Sequence, residues 1–184
     1  QKQESLEPEQ EPSDKNELFH WILTLAIAVI IALCVNRFVL VNAEIPSGSM
    51  ENTIMTGDRV FGNRLAYIFG EPKRFDIIIF RYPDDEKQLF IKRIIGLPGE
   101  TVEIHDGQIF IDGSKTPLKD VTTKEFMQGS FGPYTVPDNC YFVMGDNRNN
   151  SKDSRYWEHT FVTDDEIVGK AFLRYWPLNK IKFL

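Results

Sequence analysis

Residues 18–35, LFHWILTLAIAVIIALCV, form an apolar run broken only by His20 and Thr24, and no other feature limits the fold so strongly. Eighteen residues at 1.5 Å each make a helix of about 27 Å, close to the ~30 Å hydrocarbon core of a bilayer. His20 and Trp21 at one end and Asn36-Arg37 at the other suit the two membrane interfaces. The run shows no amphipathic stripe of the kind a soluble core helix carries. A cleaved secretory signal is the competing reading, because VNA at 41–43 sets small residues three and one positions before a cut after Ala43. That reading asks for a basic flank and a shorter apolar core, whereas this flank is acidic. The sequence predicts a transmembrane helix over 18–36. Lys15 stands against Arg37, so charge does not decide its orientation.

Residues 1–17, QKQESLEPEQEPSDKNE, are rich in acids and hold no aromatic or β-branched residue, so a disordered acidic tail is expected there. The whole chain of 184 residues carries a net charge of -6, with a pI near 5.1, and lacks the basic face a nucleic-acid partner would need. His20, His105 and His159 are scattered without metal-ligand spacing, so no metal or other cofactor is expected. Cys34 lies in the apolar run and Cys140 in a strand-like stretch, which argues against a disulfide between them.

Residues 37–184 read as mainly β. FDIIIFRYP (75–83) and QLFIKRII (88–95) are β-branched and aromatic, joined by the polar loop 83–87, as in a hairpin. TVEIHDGQIFIDG (101–113) alternates around Asp106-Gly107, a strong two-residue hairpin signal. CYFVMGDN (140–147) is a further strand running into turn residues. Thr163 and Glu166 form a capping-box pattern before a short helical turn, and KAFLRYW (170–176) reads as a closing strand. Residues 114–137, richer in Gly, Pro, Lys and Thr, read as a loop or a small insertion. The expected architecture is one twisted antiparallel domain behind one anchor.

No Ser-His-Asp set is visible, but a serine can be activated by a lysine held neutral in an apolar setting. Most lysines lie in polar loops. Lys92 is different: it sits within LFIKRIIG, with Phe90 and Ile94 on its face at strand spacing. Lowering a lysine from about 10.4 to about 7 costs roughly 4–5 kcal/mol of burial. On local grounds Lys92 is equally a strand lysine whose head reaches water, and Pro46-Ser47-Gly48-Ser49 equally an ordinary turn.

PSGSM (46–50), KRIIGLPGE (92–100) and GDNRNNSKDSR (145–155) resemble, in order, three boxes of the type I signal peptidase family. FDIIIFRYP (75–83) resembles a fourth, structural box, and with the preceding helix the resemblance covers residues 18–178. It implies an antiparallel-sheet, signal-peptidase-like catalytic domain over 37–184, with a small inserted subdomain at about 101–137. By resemblance Ser49 attacks the scissile carbonyl and Lys92 takes its proton. Ser47 donates to the oxyanion, and Ser151 orients the lysine amine. Ile45, Met50, Ile54, Phe90 and Ile91 match pocket residues for small side chains at −1 and −3. Arg93, Asp146, Asp153 and Arg155 match structural ion pairs, with Arg93 set against Asp146. Lysine rather than histidine at 92 resembles the bacterial branch. The implied partners are preprotein signal peptides and the lipid bilayer, with a monomeric enzyme on the extracytoplasmic side of the plasma membrane.

One departure follows PSGSM, where many members continue with Pro-Thr and this chain has Glu51-Asn52-Thr53. The alternatives left open are a Ser/Lys autopeptidase of the SOS-repressor type, a tethered β module that binds peptides without cutting, and a chain that clips its own anchor at Ala43.

Overall fold

A computed structural model describes residues 14–68, 70–120 and 126–184. Residues 1–13 of the expected tail, and 121–125 of the expected insertion, lie outside the described residues. The chain divides into two units, one ending at Phe38 and the other spanning Val39–Leu184.

The first unit is helix α1, Asp14–Cys34, which passes into a π-helical turn at Val35–Val39. The stretch Glu17–Val39 is long and apolar enough to cross a membrane, and none of it is buried against protein. The helix starts at Asp14, within the stretch read as tail. Cys34 and Cys140 are both free.

The second unit holds β1 (Leu40–Glu44), β2 (Arg59–Asn63), β3 (Ile77–Tyr82), β4 (Asp85–Gly96), β5 (Thr101–His105), β6 (Gln108–Ile111), β7 (Phe131–Thr135), β8 (Cys140–Met144), β9 (Val162–Thr163), β10 (Ile167–Trp176) and β11 (Lys182–Phe183). The main sheet runs β1-β2-β10-β3-β4-β8-β9, with β11 added beside β10, and a small sheet runs β6-β5-β7. Every pairing is antiparallel.

β3 is buried on both faces, which is why it reads as an unbroken β-branched run rather than an alternating one. Ile77 and Ile79 enter a core with Val41, Ile45, Met50, Ile54, Val60 and Ile91. Ile78 and Phe80 enter another, with Tyr82, Ile94, Val143 and Trp157. A third core joins Ile95, Phe142 and Met144 of the main sheet to Val102, Ile104 and Ile109 of the small one. Fully burying an aliphatic or aromatic side chain contributes about 1.5–3 kcal/mol, so these clusters carry the fold.

The Asp106-Gly107 turn has both φ angles positive, +47° and +76°, as its type requires. The β3–β4 turn is tighter than the expected loop 83–87, since β4 begins at Asp85. The Asp84 carboxylate accepts from the Tyr82 hydroxyl at 2.7 Å and from the His159 amide at 2.8 Å, pinning that turn to the 158–159 loop. β7 falls within the segment read as loop or insertion. Its sequence FGPYT holds two breakers, tolerated at the edge of a small sheet. The Thr163 pattern does start a 3₁₀ turn, Asp164–Glu166, with the Glu166 carboxylate accepting the Thr163 amide at 2.7 Å.

Candidate active site

Ser49 sits in a single 3₁₀ turn, Gly48–Met50, immediately after β1 and Ile45-Pro46-Ser47. Met50, fully buried, anchors the turn to the core, and its carbonyl accepts the Ile54 amide at 2.9 Å. On the neighbouring β4, Lys92 is 3% exposed and faces the turn. Its Nζ stands 2.6 Å from Ser49 Oγ, and Ser47 Oγ stands 3.4 Å from the same oxygen. Burial pushes the Lys92 ammonium down from 10.5 to about 8, against the opposing pull of the Asp153 and Asp146 carboxylates. The pair is thus a hydroxyl in hydrogen-bond contact with an amine that burial makes easier to deprotonate.

The loop after β8 closes over this pair. Gly145 lies so near it that a Cβ there would stand 2.3 Å from the Ser49 carbonyl oxygen and 2.3 Å from Ser151 Oγ. Asn147 holds the serine turn from above, its amide donating to the Ser49 carbonyl at 3.0 Å and its side-chain Nδ2 to the Gly48 carbonyl at 3.0 Å. Two buried fork-to-fork ion pairs fix the loop. Arg93 donates to Asp146 at 2.7 and 2.6 Å, and Arg155 to Asp153 at 2.8 and 2.9 Å. Asp146 also accepts the Thr53 hydroxyl at 2.5 Å, and Asp153 accepts the Gly145 amide at 3.0 Å. Asp146 therefore ties the base strand and the segment after the nucleophile turn to this loop, whereas Asp153 braces the loop on itself.

A groove of about 540 Å³ leads to the pair, walled by Asn42–Ile45 of the β1 limb and Gln88–Lys92 of β4. These strands lie four places apart in the sheet, so the sheet curls to bring them to one groove. β4 pairs with β8 only from Arg93 onward. Among the described residues, the β8-facing edge of Leu89–Lys92 and the outer edge of β1 have no strand partner. The groove thus offers two open backbone edges to an extended peptide.

A family model described as signal peptidase, peptidase S26, matches residues 18–176. A signal peptidase I of Leptolyngbya laminosa is 38% identical over 178 residues, covering 93% of this chain and 86% of that relative. Signal peptidase I S of Bacillus subtilis is 37% identical over 179 residues, covering 92% of this chain and 95% of the relative. The chain belongs to the signal peptidase family, peptidase S26. A crystal structure of a signal peptidase I from Enterococcus faecalis is 37% identical, with a TM-score of 0.47, over 54% of this chain and 96% of that one. Like the family, the chain is a serine peptidase with an N-terminal apolar helix.

Within this member of the signal peptidase family, the residues singled out from the sequence fall into different places. Ser47, Ser49 and Lys92 meet at one point, and Arg93, Asp146, Asp153 and Arg155 form the two pairs behind it. Ile45, Phe90 and Ile91 line the groove. Met50 and Ile54 do not: both are fully buried in the core behind the turn, because the 3₁₀ geometry sends Met50 inward as its anchor. Ser151 also departs from its expected contact. Its Oγ is buried beside Gly145 without a hydrogen-bond partner among the described residues, and the Lys92 amine bonds Ser49 instead. Asn147, Asn150 and Lys152 were not singled out, since loop polar residues give no local signal of what they will face. Ala43 lies within β1 opposite Val60, so a cut after it requires β1 to leave the sheet.

Proposed function

We propose that the chain removes N-terminal signal peptides from secreted preproteins, with Ser49 as nucleophile and Lys92 as general base and acid. The observation that carries this reading is the 2.6 Å contact between two buried groups, Ser49 Oγ and Lys92 Nζ. The neutral amine takes the Ser49 proton as Oγ bonds to the scissile carbonyl carbon. The oxyanion that forms accepts from the Ser49 amide and the Ser47 hydroxyl, and losing such a donor costs ~10²–10³ in rate. Collapse breaks the C–N bond, and the Lys92 ammonium gives its proton to the departing amine. Water then attacks the Ser49 ester, Lys92 takes the water's proton, and its return to Ser49 Oγ regenerates the enzyme.

The substrate lies in the groove as an added strand between the open edges of β1 and β4. Small side chains at −1 and −3 enter the floor at Ile45, Phe90 and Ile91, a reading supported by these apolar residues lining the groove. The helix anchors the enzyme in the plasma membrane with its catalytic unit on the extracytoplasmic side. That reading is supported by the apolar helix and by the signal peptidase I relatives.

Cleavage of a preprotein with an Ala-x-Ala site, by the detergent-solubilised chain, tests this directly. The expected product ends at the −1 Ala, and Ser49→Ala and Lys92→Met yield none while keeping the wild-type circular dichroism. Substantial cleavage by Ser49→Ala, or none by folded wild type, overturns the reading.

A further inference from the structure

One charged side chain on the groove wall takes no part in the chemistry above. Lys152 follows Ser151 directly, is exposed, and lines the groove with Phe90, Lys92 and Asn150. Its ammonium lies 5.8 Å from the centre of the Tyr82 ring. That ring stacks on Phe90 with centroids 4.4 Å apart and planes at 2°. The ring face attracts the cation, so Lys152 reaches back from the catalytic loop along the limb of the groove that carries Phe90.

The surrounding charges leave Lys152 unmatched. Across the groove, the Glu44 carboxylate is engaged with Arg59 at 3.3 Å. Asp146 and Asp153 are turned inward onto Arg93 and Arg155. Asp85 accepts the Gln88 amide group at 2.8 Å. Among the described residues no carboxylate forms an ion pair with Lys152. A long cation held beside a substrate groove, with no anion paired to it among the described residues, is an offer to the substrate.

We propose that Lys152 reads the substrate side chain at −2 and favours a carboxylate there. The inference rests on the function proposed above. In an extended substrate, successive side chains point to opposite faces. With −1 and −3 directed into the floor at Ile45, Phe90 and Ile91, the −2 side chain rises to the rim, where Lys152 lies. The residue does not touch the reacting atoms, so its effect is on selection among substrates.

The test compares three peptides, Ala-Glu-Ala, Ala-Gln-Ala and Ala-Lys-Ala at −3 to −1, cleaved by full-length wild type, Lys152→Gln and Lys152→Glu. For wild type, kcat/KM for Glu at −2 exceeds that for Lys by about two- to five-fold, the size an exposed ion pair supplies. The ratio falls to near one in Lys152→Gln and inverts in Lys152→Glu, and added salt flattens it in both charged enzymes. The −2 Gln peptide serves as the reference within each enzyme, so a general loss of activity does not mimic the result. An identical Glu/Lys ratio in all three enzymes overturns the inference. So does a charge preference that follows Lys152 only when moved to −4 or +1. Failure of folded wild type to cut any of the three peptides instead overturns the peptidase reading, and this inference with it.

Discussion

Burial holds the Lys92 ammonium near 8 in the folded chain, against 10.5 when it is free in water. Two consequences follow at this residue. In the proposed mechanism only the neutral amine takes the Ser49 proton, so kcat/KM is expected to rise ten-fold per pH unit below about 8 and to level above it. Stability moves in the same direction. Between the two values the unfolded chain binds the extra proton, so stability grows as pH rises through that window. At 1.36 kcal/mol per pK unit, the difference between 10.5 and about 8 is about 3 kcal/mol. Lys92→Met is therefore expected to be inactive yet more stable than wild type at pH 7, with its advantage fading toward pH 11. Urea midpoints of the two proteins across pH measure this, and a constant difference would falsify it. Gly145 is the second sensitive residue, since a methyl group there meets the Ser49 carbonyl at 2.3 Å. A displacement of about 1 Å at a catalytic group can cost 10²-fold. Gly145→Ala is expected to lose about that much kcat with a folded spectrum; near-normal turnover would show that the loop can yield.

At the scale of elements, the unit that matters is the clamp between β4 and the loop after β8. Removing one partner of a buried ion pair leaves an uncompensated charge and costs about 3–5 kcal/mol. Asp146→Ala, which strands Arg93 and frees Thr53, is expected to lose that much in urea unfolding. A double change to Met at 93 and Leu at 146 should recover much of it, whereas an equal loss in single and double variants would contradict a simple pair. Elements whose partners are local were legible in the sequence. The Asp106-Gly107 hairpin, the Thr163 turn and the doubly buried β3 each carry their cause in adjacent residues. β7 was hidden by Gly132 and Pro133, because its pairing with β5 outweighs local breakers. The central place of β10, between β2 and β3, rests on contacts remote in sequence that no periodicity records. The site divides the same way. A lysine in an apolar strand stands out as a candidate although its local pattern leaves its role open, whereas Asn147 and Lys152 acquire meaning only when a loop is folded over Ser49.

At the scale of the molecule, the buried clusters all lie between Val41 and Leu184, and the helix residues from Leu18 to Cys34 contribute none of them. The catalytic unit thus has the core it needs without its anchor. A fragment of residues 39–184 is expected to fold cooperatively in detergent and to cut a short soluble peptide at close to the full-length rate. The anchor acts on a different quantity. Tethering enzyme and preprotein to one bilayer raises their effective concentration, and such linkage is worth ~10²–10⁴ without any new contact. Cleavage of a preprotein inserted in vesicles should therefore fall by that order in the fragment, while peptide cleavage does not. Comparing both substrates on the same two proteins separates the roles. If peptide cleavage falls as far as preprotein cleavage, the helix shapes the site itself, and the division into an anchor and a self-sufficient catalytic unit fails.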